Sequence, residues 1–243
     1  MNQFARTEQL LGHGAMEKIK KAKVAVFGLG AVGSFAVEAL ARTGVGQLHL
    51  IDFDRVDASN INRQLLALTS TIGREKAVLA RERVGDINPD CEITVKSAFV
   101  NAESLEDLLE EDTDVVVDAI DGLNSKINLL VGAKQRNLAV VSSMGAGGKT
   151  DISMIRAGDI SETEVCPLAR VVRRRLHRRG IFEGIRAVYS IEPPLNKQPF
   201  HAEDAGDALP GHGRSRPPIG TVVWVPGVFG LTVAREVIRL ITG

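Results

Sequence analysis

Short apolar runs alternate with stretches of helical periodicity through the first half of the chain. Val24-Ala25-Val26-Phe27 ends on glycine, the mark of a strand buried on both faces. Over 31–42, apolar positions return with a helical period until Gly44 stops them. Leu48-His49-Leu50-Ile51, within 47–52, predicts a second strand and so a β-α-β unit. The alternation continues with a helix over 73–86 that Asn88-Pro89 closes, a strand over 93–95 and a short helix over 104–111. A strand over 115–117 ends on Asp118 and Asp121, followed by a helix over 124–136 and a strand over 139–142. Strands alternating with helices predict an α/β fold, a doubly wound and mainly parallel sheet of the Rossmann type.

Beyond Gly145-Ala146-Gly147-Gly148 the texture changes. The pattern predicts a strand over 151–155 in another part of the sheet, a basic helix over 166–179, a strand over 187–190 and a final helix over 229–241. Residues 192–218 are rich in Pro, Gly and His with little periodicity, too long for an ordinary connector. They read as a lid, a binding loop or a disordered segment. No internal repeat is visible. With 243 residues the chain can bury a full core, as one large domain or as one domain with a smaller appendage.

Composition changes this picture little. Thirty basic and thirty acidic side chains cancel, so nucleic-acid affinity would have to come from a local basic patch. The two cysteines, Cys91 and Cys166, form no Cys-x-x-Cys pair, which argues against a disulfide scaffold or a structural zinc site. The N-terminal 23 residues are polar and unlike a signal peptide. The apolar stretch over 221–241 is broken by Pro226, Gly227, Arg235, Glu236 and Arg239, so it reads as a packed helix and not a membrane span. A cytoplasmic protein is expected.

The candidate chemistry begins at Gly28-Leu29-Gly30-Ala31-Val32-Gly33, placed after a strand and opening a helix. Gly28 makes the tight turn, Gly30 lets the backbone approach a phosphate, and Gly33 lets helix pack on strand. The helix N-terminus offers unpaired N–H groups to an anion. Asp52 ends the second strand, where an acid can bond a ribose hydroxyl. This much means a nucleotide and does not choose among NAD, FAD and ATP.

The next segment favours ATP. Instead of a helix, a polar loop follows, with Asp54, Asp57, Asn60, Asn62, Arg63 and Gln64, and then Gly73-Arg74-Glu75-Lys76. Hydride transfer needs no extra cations at the phosphates. Attack on a nucleotide phosphate does, because charge builds on the phosphoryl oxygens. Arg63 and Lys76 could supply them. Asp118 and Asp121, at the carboxyl edge of the sheet, suit a Mg2+ ion bridging a triphosphate. Singly, each residue has a plainer reading as a salt-bridge partner, a solvated helix residue or a helix cap. As an ordered series on one scaffold they read as a site.

That series, Gly-x-Gly-x-x-Gly, Asp-x-Asp, Asn-x-x-Arg-Gln, Gly-x-x-Lys and Asp-x-x-Asp, resembles the ubiquitin-activating-enzyme-like adenylyltransferases, which include the activators of molybdopterin and thiamin sulfur carriers. The resemblance runs from Arg6 to about Ser143. It implies ATP and Mg2+, adenylation of a carboxylate with release of pyrophosphate, and a homodimer. It implies that Asp52 holds the ribose, that Asn60, Arg63 and Lys76 handle phosphates, and that Asp121 serves the metal. Asp54 and Gln64 belong to the same nucleotide-binding set. Arg6 aligns with an arginine that reaches across the dimer.

Sulfur-carrier activators commonly carry Cys-x-x-Cys zinc knuckles, and this chain has none. Its second half reads Ser142-Ser-Met-Gly-Ala-Gly-Gly-Lys-Thr-Asp151, Asp159-Ile-Ser-Glu-Thr163, Pro167-Leu-Ala-Arg170 and Tyr189-Ser-x-Glu-Pro193, similar to the tRNA threonylcarbamoyladenosine dehydratases. Cys166 stands where that pattern has an acid before the proline. The resemblance implies one adenylation domain over 1–243, with an ATP-binding part at 1–145 and a substrate-binding part at 146–243. Its substrate would be tRNA carrying threonylcarbamoyladenosine, with a sulfur-transfer protein as a further partner. Intramolecular attack on an acyl adenylate would close a ring without an enzyme nucleophile. Cys166 could be a nucleophile beside an arginine-rich helix; the preferred reading is a packed cysteine. The arginines of 169–179 would contact tRNA phosphates, and Arg214 and Arg216 would close the 192–218 loop over the anticodon loop. Two other functions remain: adenylation of the C-terminal glycine of a sulfur carrier, and a scaffold that binds nucleotide only to regulate assembly.

Overall fold

The computed structural model describes residues 3–195 and 219–243. Two short helices come first, α1 (Ala5–Leu11) and α2 (His13–Lys21), divided by Gly12 at φ +88°. Neither is signalled by an apolar run: α1 buries nothing, and α2 buries only Met16 and Ile19, one turn apart. Then β1 (Lys23–Phe27), α3 (Gly33–Thr43) and β2 (Gln47–Ile51) form the expected β-α-β unit, and Gly44 ends α3 in the left-handed region at φ +92°. The chain continues through α4 (Lys76–Ile87), β3 (Glu92–Lys96), α5 (Leu105–Leu108), β4 (Val115–Asp118), α6 (Leu123–Gln135) and β5 (Ala139–Ser143).

The second half adds β6 (Ile155–Asp159), α7 (Pro167–His177), β7 (Arg186–Ser190) and α8 (Trp224–Thr242). Two boundaries differ most from the sequence reading. The strand expected over 151–155 begins at Ile155, because the Asp151 side chain accepts from Ser153 N and bends 152–154 into a 3-10 turn. The last helix starts at Trp224 rather than at Phe229. Pro226 sits in its first turn, where a missing N–H costs nothing. Residues 196–218, most of the expected 192–218 loop and including Arg214 and Arg216, lie outside the described residues.

All seven strands join one sheet in the order β3-β2-β1-β4-β5-β7-β6. Every pairing is parallel except β6 with β7, so the doubly wound architecture holds and the second half extends its edge. The chain reverses its winding between β1 and β4, whose registers align Val24 with both Leu48 and Val115. Ligands of such sheets bind in the crevice outside the carboxyl ends of strands at this switch point. Two apolar layers cover the sheet. One joins Val24, Val26, Leu40, Leu48, Phe229 and Val233, under α2, α3, α4 and α8. The other joins Ala25, Phe27, Val116, Leu130, Val172 and Leu176, under α5, α6 and α7. Buried Glu236 of α8 accepts from Arg186 Nε of β7 at 2.6 Å, fastening the last helix to the added strand.

Candidate nucleotide site at the switch point

The turn between β1 and α3 is built from backbone contacts that leave no room for side chains. Gly28 has φ +89°, and a Cβ there would lie 2.7 Å from Ala119 O. A Cβ on Gly33 would lie 1.8 Å from Gly28 O. Gly30 differs: the nearest atom to its would-be Cβ is Gln64 Nε2 at 3.6 Å, so its flank is open to a close-lying ligand. No side chain caps α3. Among the described residues, no backbone carbonyl accepts from the N–H groups of Gly30, Ala31, Val32 or Gly33. Uncapped N–H groups at the positive end of a helix form an anion site.

Asp52, at the carboxyl end of β2, faces this turn. Its Oδ2 accepts from Leu29 N at 2.6 Å and its Oδ1 from Asp54 N at 2.7 Å. Burial pushes its carboxyl above the usual carboxylate range; the nearby Lys76 charge and these two N–H donors pull back only in part. The oxygens keep lone pairs for further donors, and ribose hydroxyls fit that need. Lys76 opens α4 with its side chain buried and donates from Nζ to Asp54 Oδ2 at 2.8 Å. Its own N–H donates to Asp54 O at 3.0 Å. Asp52, Asp54 and Lys76 thus form one cluster beside the glycine turn. Gln64 joins it against Gly30, with Oε1 buried and lacking a donor among the described residues. A buried acceptor without a partner is uncommon, and a nucleotide brings donors.

Asn60 and Arg63 sit in the same loop but turn inward upon it. Asn60 Oδ1 accepts from Asp57 N at 3.2 Å, closing a reciprocal cap with Asp57. Arg63 Nη1 donates to Ser59 O at 2.7 Å and Asn62 Oδ1 at 2.9 Å. The loop itself is tethered to α3, since Leu65 N donates to Ser34 Oγ at 3.2 Å.

Asp118 and Asp121, expected together at the sheet edge, part company. Asp118 is fully buried. It accepts from Lys126 Nζ at 2.6 Å, Ser142 Oγ at 2.5 Å and Ile120 N at 3.1 Å. Lys126 also donates to Ser143 O at 3.0 Å. This closed network locks β4, α6 and β5 together and leaves Asp118 no part in binding an exposed ion. Asp121 is exposed, just before α6, on the loop whose Ala119 backs Gly28. Among the described residues no three His, Cys, Asp or Glu side chains gather as a metal cage. Mg2+ is usually held by one or two carboxylates together with substrate phosphates, so a single carboxylate here suits that ion.

Two residues carried no assigned role in the sequence reading. Lys149 is buried after the Gly145–Gly148 turn, with Nζ donating to Glu192 O. Burial lowers its pKa, against the raising influence of Cys166 and Glu192. The Glu192 carboxylate accepts from Thr150 N at 3.0 Å and Asp151 N at 2.9 Å, pinning the turn after β5. Both stand in the motifs quoted above, but only folding shows that they meet.

A doubly wound sheet with an uncapped, glycine-lined helix end at its switch point defines a Rossmann-type nucleotide-binding protein. The chain belongs to the ThiF family, whose model matches residues 4–243. It is 39% identical over 238 residues to the tRNA threonylcarbamoyladenosine dehydratase of Bacillus subtilis, covering 98% of this chain and 94% of that one. It is 37% identical over 198 residues to the Haemophilus influenzae protein of the same name, covering 81% and 76% of the two chains. Among solved structures, Escherichia coli tRNA N6-threonylcarbamoyladenosine dehydratase in complex with ATP superposes with a TM-score of 0.86 at 31% identity, covering 98% of this chain and 93% of that one.

Proposed function

We propose that this chain dehydrates N6-threonylcarbamoyladenosine in tRNA, using ATP to activate the threonine carboxylate. The observation that carries the reading is the uncapped glycine turn, with Asp52 and Lys76 beside it, in a chain similar over nearly its whole length to dehydratases of that name. The carboxylate is a poor electrophile. Its oxygen attacks the α-phosphorus of ATP, pyrophosphate leaves, and an acyl adenylate forms. A ureido nitrogen of the same substituent then attacks the activated carbonyl and loses its proton. AMP departs with the former carboxyl oxygen, and a five-membered ring closes. Proximity within one substituent drives the second step, so no enzyme nucleophile is needed.

In this reading the glycine turn cradles phosphate, Asp52 receives the ribose hydroxyls and Gln64 borders the nucleotide. Lys76 leaves Asp54, and Arg63 leaves its own loop, to offset charge on the phosphoryl oxygens. Asn60 assists at the phosphates by holding that loop. Asp121 would hold Mg2+, which when bound neutralises triphosphate charge. The chain acts as a single adenylation domain in the cytoplasm and as a homodimer. Exposed Arg6 on α1, a helix that buries none of its own residues, is suited to reach a second copy. A sulfur-transfer protein enters only as an associated partner, since the chemistry uses no sulfur.

The test is incubation with modified tRNA and Mg-ATP, mild work-up and mass spectrometry of the nucleoside. The expected product is lighter by one water. Lys76→Ala and Arg63→Ala should each slow its formation by about 10²- to 10³-fold, the usual cost of removing one electrostatic stabiliser. An unaltered nucleoside from folded, ATP-binding protein would overturn the reading. ATP–pyrophosphate exchange that depends on a sulfur carrier would move the substrate to a protein C-terminus.

A further inference from the structure

A reaction on tRNA needs a surface that holds RNA, and the neutral overall charge conceals where it is. The arginines of α7 divide according to what they touch. Arg173 donates to Thr163 Oγ1 at 2.6 Å, Arg175 to Asn124 Oδ1 at 2.6 Å and Arg179 to Arg175 O at 3.2 Å. These three are occupied in holding the fold. Arg170, Arg174 and Arg178 are exposed, and among the described residues their side chains have no acceptor and no carboxylate. Four-residue spacing puts them on one ridge, about 6 Å apart along the helix. With Arg173 and His177 they line an open cleft of about 460 Å³, and every described residue of that lining is basic. Guanidinium groups gathered without counter-charges repel one another, so the cleft suits a polyanion.

A second observation separates RNA from other polyanions. Just beyond α7, Phe182 is 59% exposed, and its ring packs on His177 with centroids 5.1 Å apart. Unpaired RNA bases are recognised by stacking on such exposed rings, next to basic side chains that follow the backbone. The surface also joins the nucleotide site. Arg175 ties α7 to Asn124, three residues after Asp121, and Cys166 at the start of α7 lies against the turn at Gly145.

We infer that this cleft binds a single-stranded loop of RNA, with Arg170, Arg174 and Arg178 taking successive phosphates and the Phe182–His177 face stacking an unpaired base. The inference rests on the functional reading above only in naming tRNA as the RNA. The probes are a labelled anticodon stem–loop RNA and a fully paired duplex of equal length, titrated across salt concentrations. The R170Q/R174Q/R178Q protein should lose two to three units from the slope of log K against log salt, at roughly 0.7–0.9 per phosphate released. Phe182→Ala should weaken the stem–loop about 5- to 150-fold, as loss of one stacked base does, and leave the duplex unchanged; Phe182→Trp should restore the difference. Both variants should keep the wild-type thermal shift with ATP, which certifies folding. A triple variant with wild-type affinity and slope overturns the inference. So does one that keeps RNA but loses an acidic protein partner or a second copy of the chain. Failure of the functional reading looks different: wild-type protein that binds the stem–loop yet leaves the modified nucleoside intact.

Discussion

His49 lies in the middle of β2, buried, and among the described residues neither of its ring nitrogens has a hydrogen-bond partner. Its Nδ1 is 3.7 Å from Glu110, too far for a hydrogen bond, and Glu110 is already paired with Lys23. Burial lowers the pKa of the imidazole, and the Glu110 charge recovers only part of that. The folded chain therefore binds fewer protons here than the unfolded chain. Stability should fall as pH drops below about 6.5, the unfolded value, by at most about 1.4 kcal/mol per pH unit from this residue. Denaturant titrations between about pH 7.5 and 5.5 should show that slope, and His49→Leu should flatten it; an equal slope in the variant would refute the assignment. Nothing in the sequence announces this histidine, because its burden comes from neighbours on other elements. Asp118, expected beside an ion, is instead taken up by Lys126 and Ser142, partners that come from α6 and β5. The placement of Gly28, Gly33 and Asp52 together was legible because it is local to one strand-turn-helix and the strand beside it. Cys91 needs no chemical role: burial raises its thiol pKa to about 11, so it stays a thiol.

Elements were legible where an apolar run faced a two-sided core, as in β1, β2, β4 and β5; β3, an edge strand with no buried residue, was read from the short segment between Ile93 and Val95. They were obscure where that signal is missing. Helix α1 buries none of its residues, and the first turns of α8 were hidden by Pro226 and Gly227, which usually mark an end. The glycines of α8 serve contact. A Cβ on Gly230 would meet Val32 O at 2.5 Å and Phe35 Cβ at 2.6 Å. Because the first of these is backbone of the glycine turn, Gly230→Ala should push α3 and α8 apart. The expected cost is about 1–3 kcal/mol, as for other overpacked contacts, together with weaker ATP binding. Gly85 in α4, with open space around it, is the control: Gly85→Ala should be neutral or stabilising. Calorimetry and ATP titration of both variants would settle whether the contact matters. Between α3 and α4, Glu38 accepts from Arg83 and Arg42. Burial alone would raise its carboxyl, but these two arginines outweigh it and hold it below the usual range.

At the scale of the whole molecule, fold class and family lay open in the order of the motifs, whereas the division of labour along the basic helix did not. The arginines of 169–179 stood out against a neutral total charge, but only the fold separates Arg173, Arg175 and Arg179, which bond within the chain, from Arg170, Arg174 and Arg178, which face solvent. ATP should act on the molecule as a unit, because its proposed contacts come from β1, β2, α4 and the loop after β4. At a hundred times its dissociation constant it should add about 2.7 kcal/mol of stability, which is roughly 5–10 °C for a chain of this size. Asp52→Asn should remove most of that shift in a melting experiment and also lower the unliganded midpoint, because one of the two N–H groups that Asp52 accepts from then faces an amide NH2. A wild-type shift in the variant would take the ribose away from Asp52. The packing of α8 on α3 has a further consequence for how the protein is made. The glycine turn is synthesised early, but the helix that backs it leaves the ribosome only after almost two hundred more residues. Contacts so distant in sequence form late. A nascent chain will therefore carry a complete glycine motif well before the helix that backs it has been made.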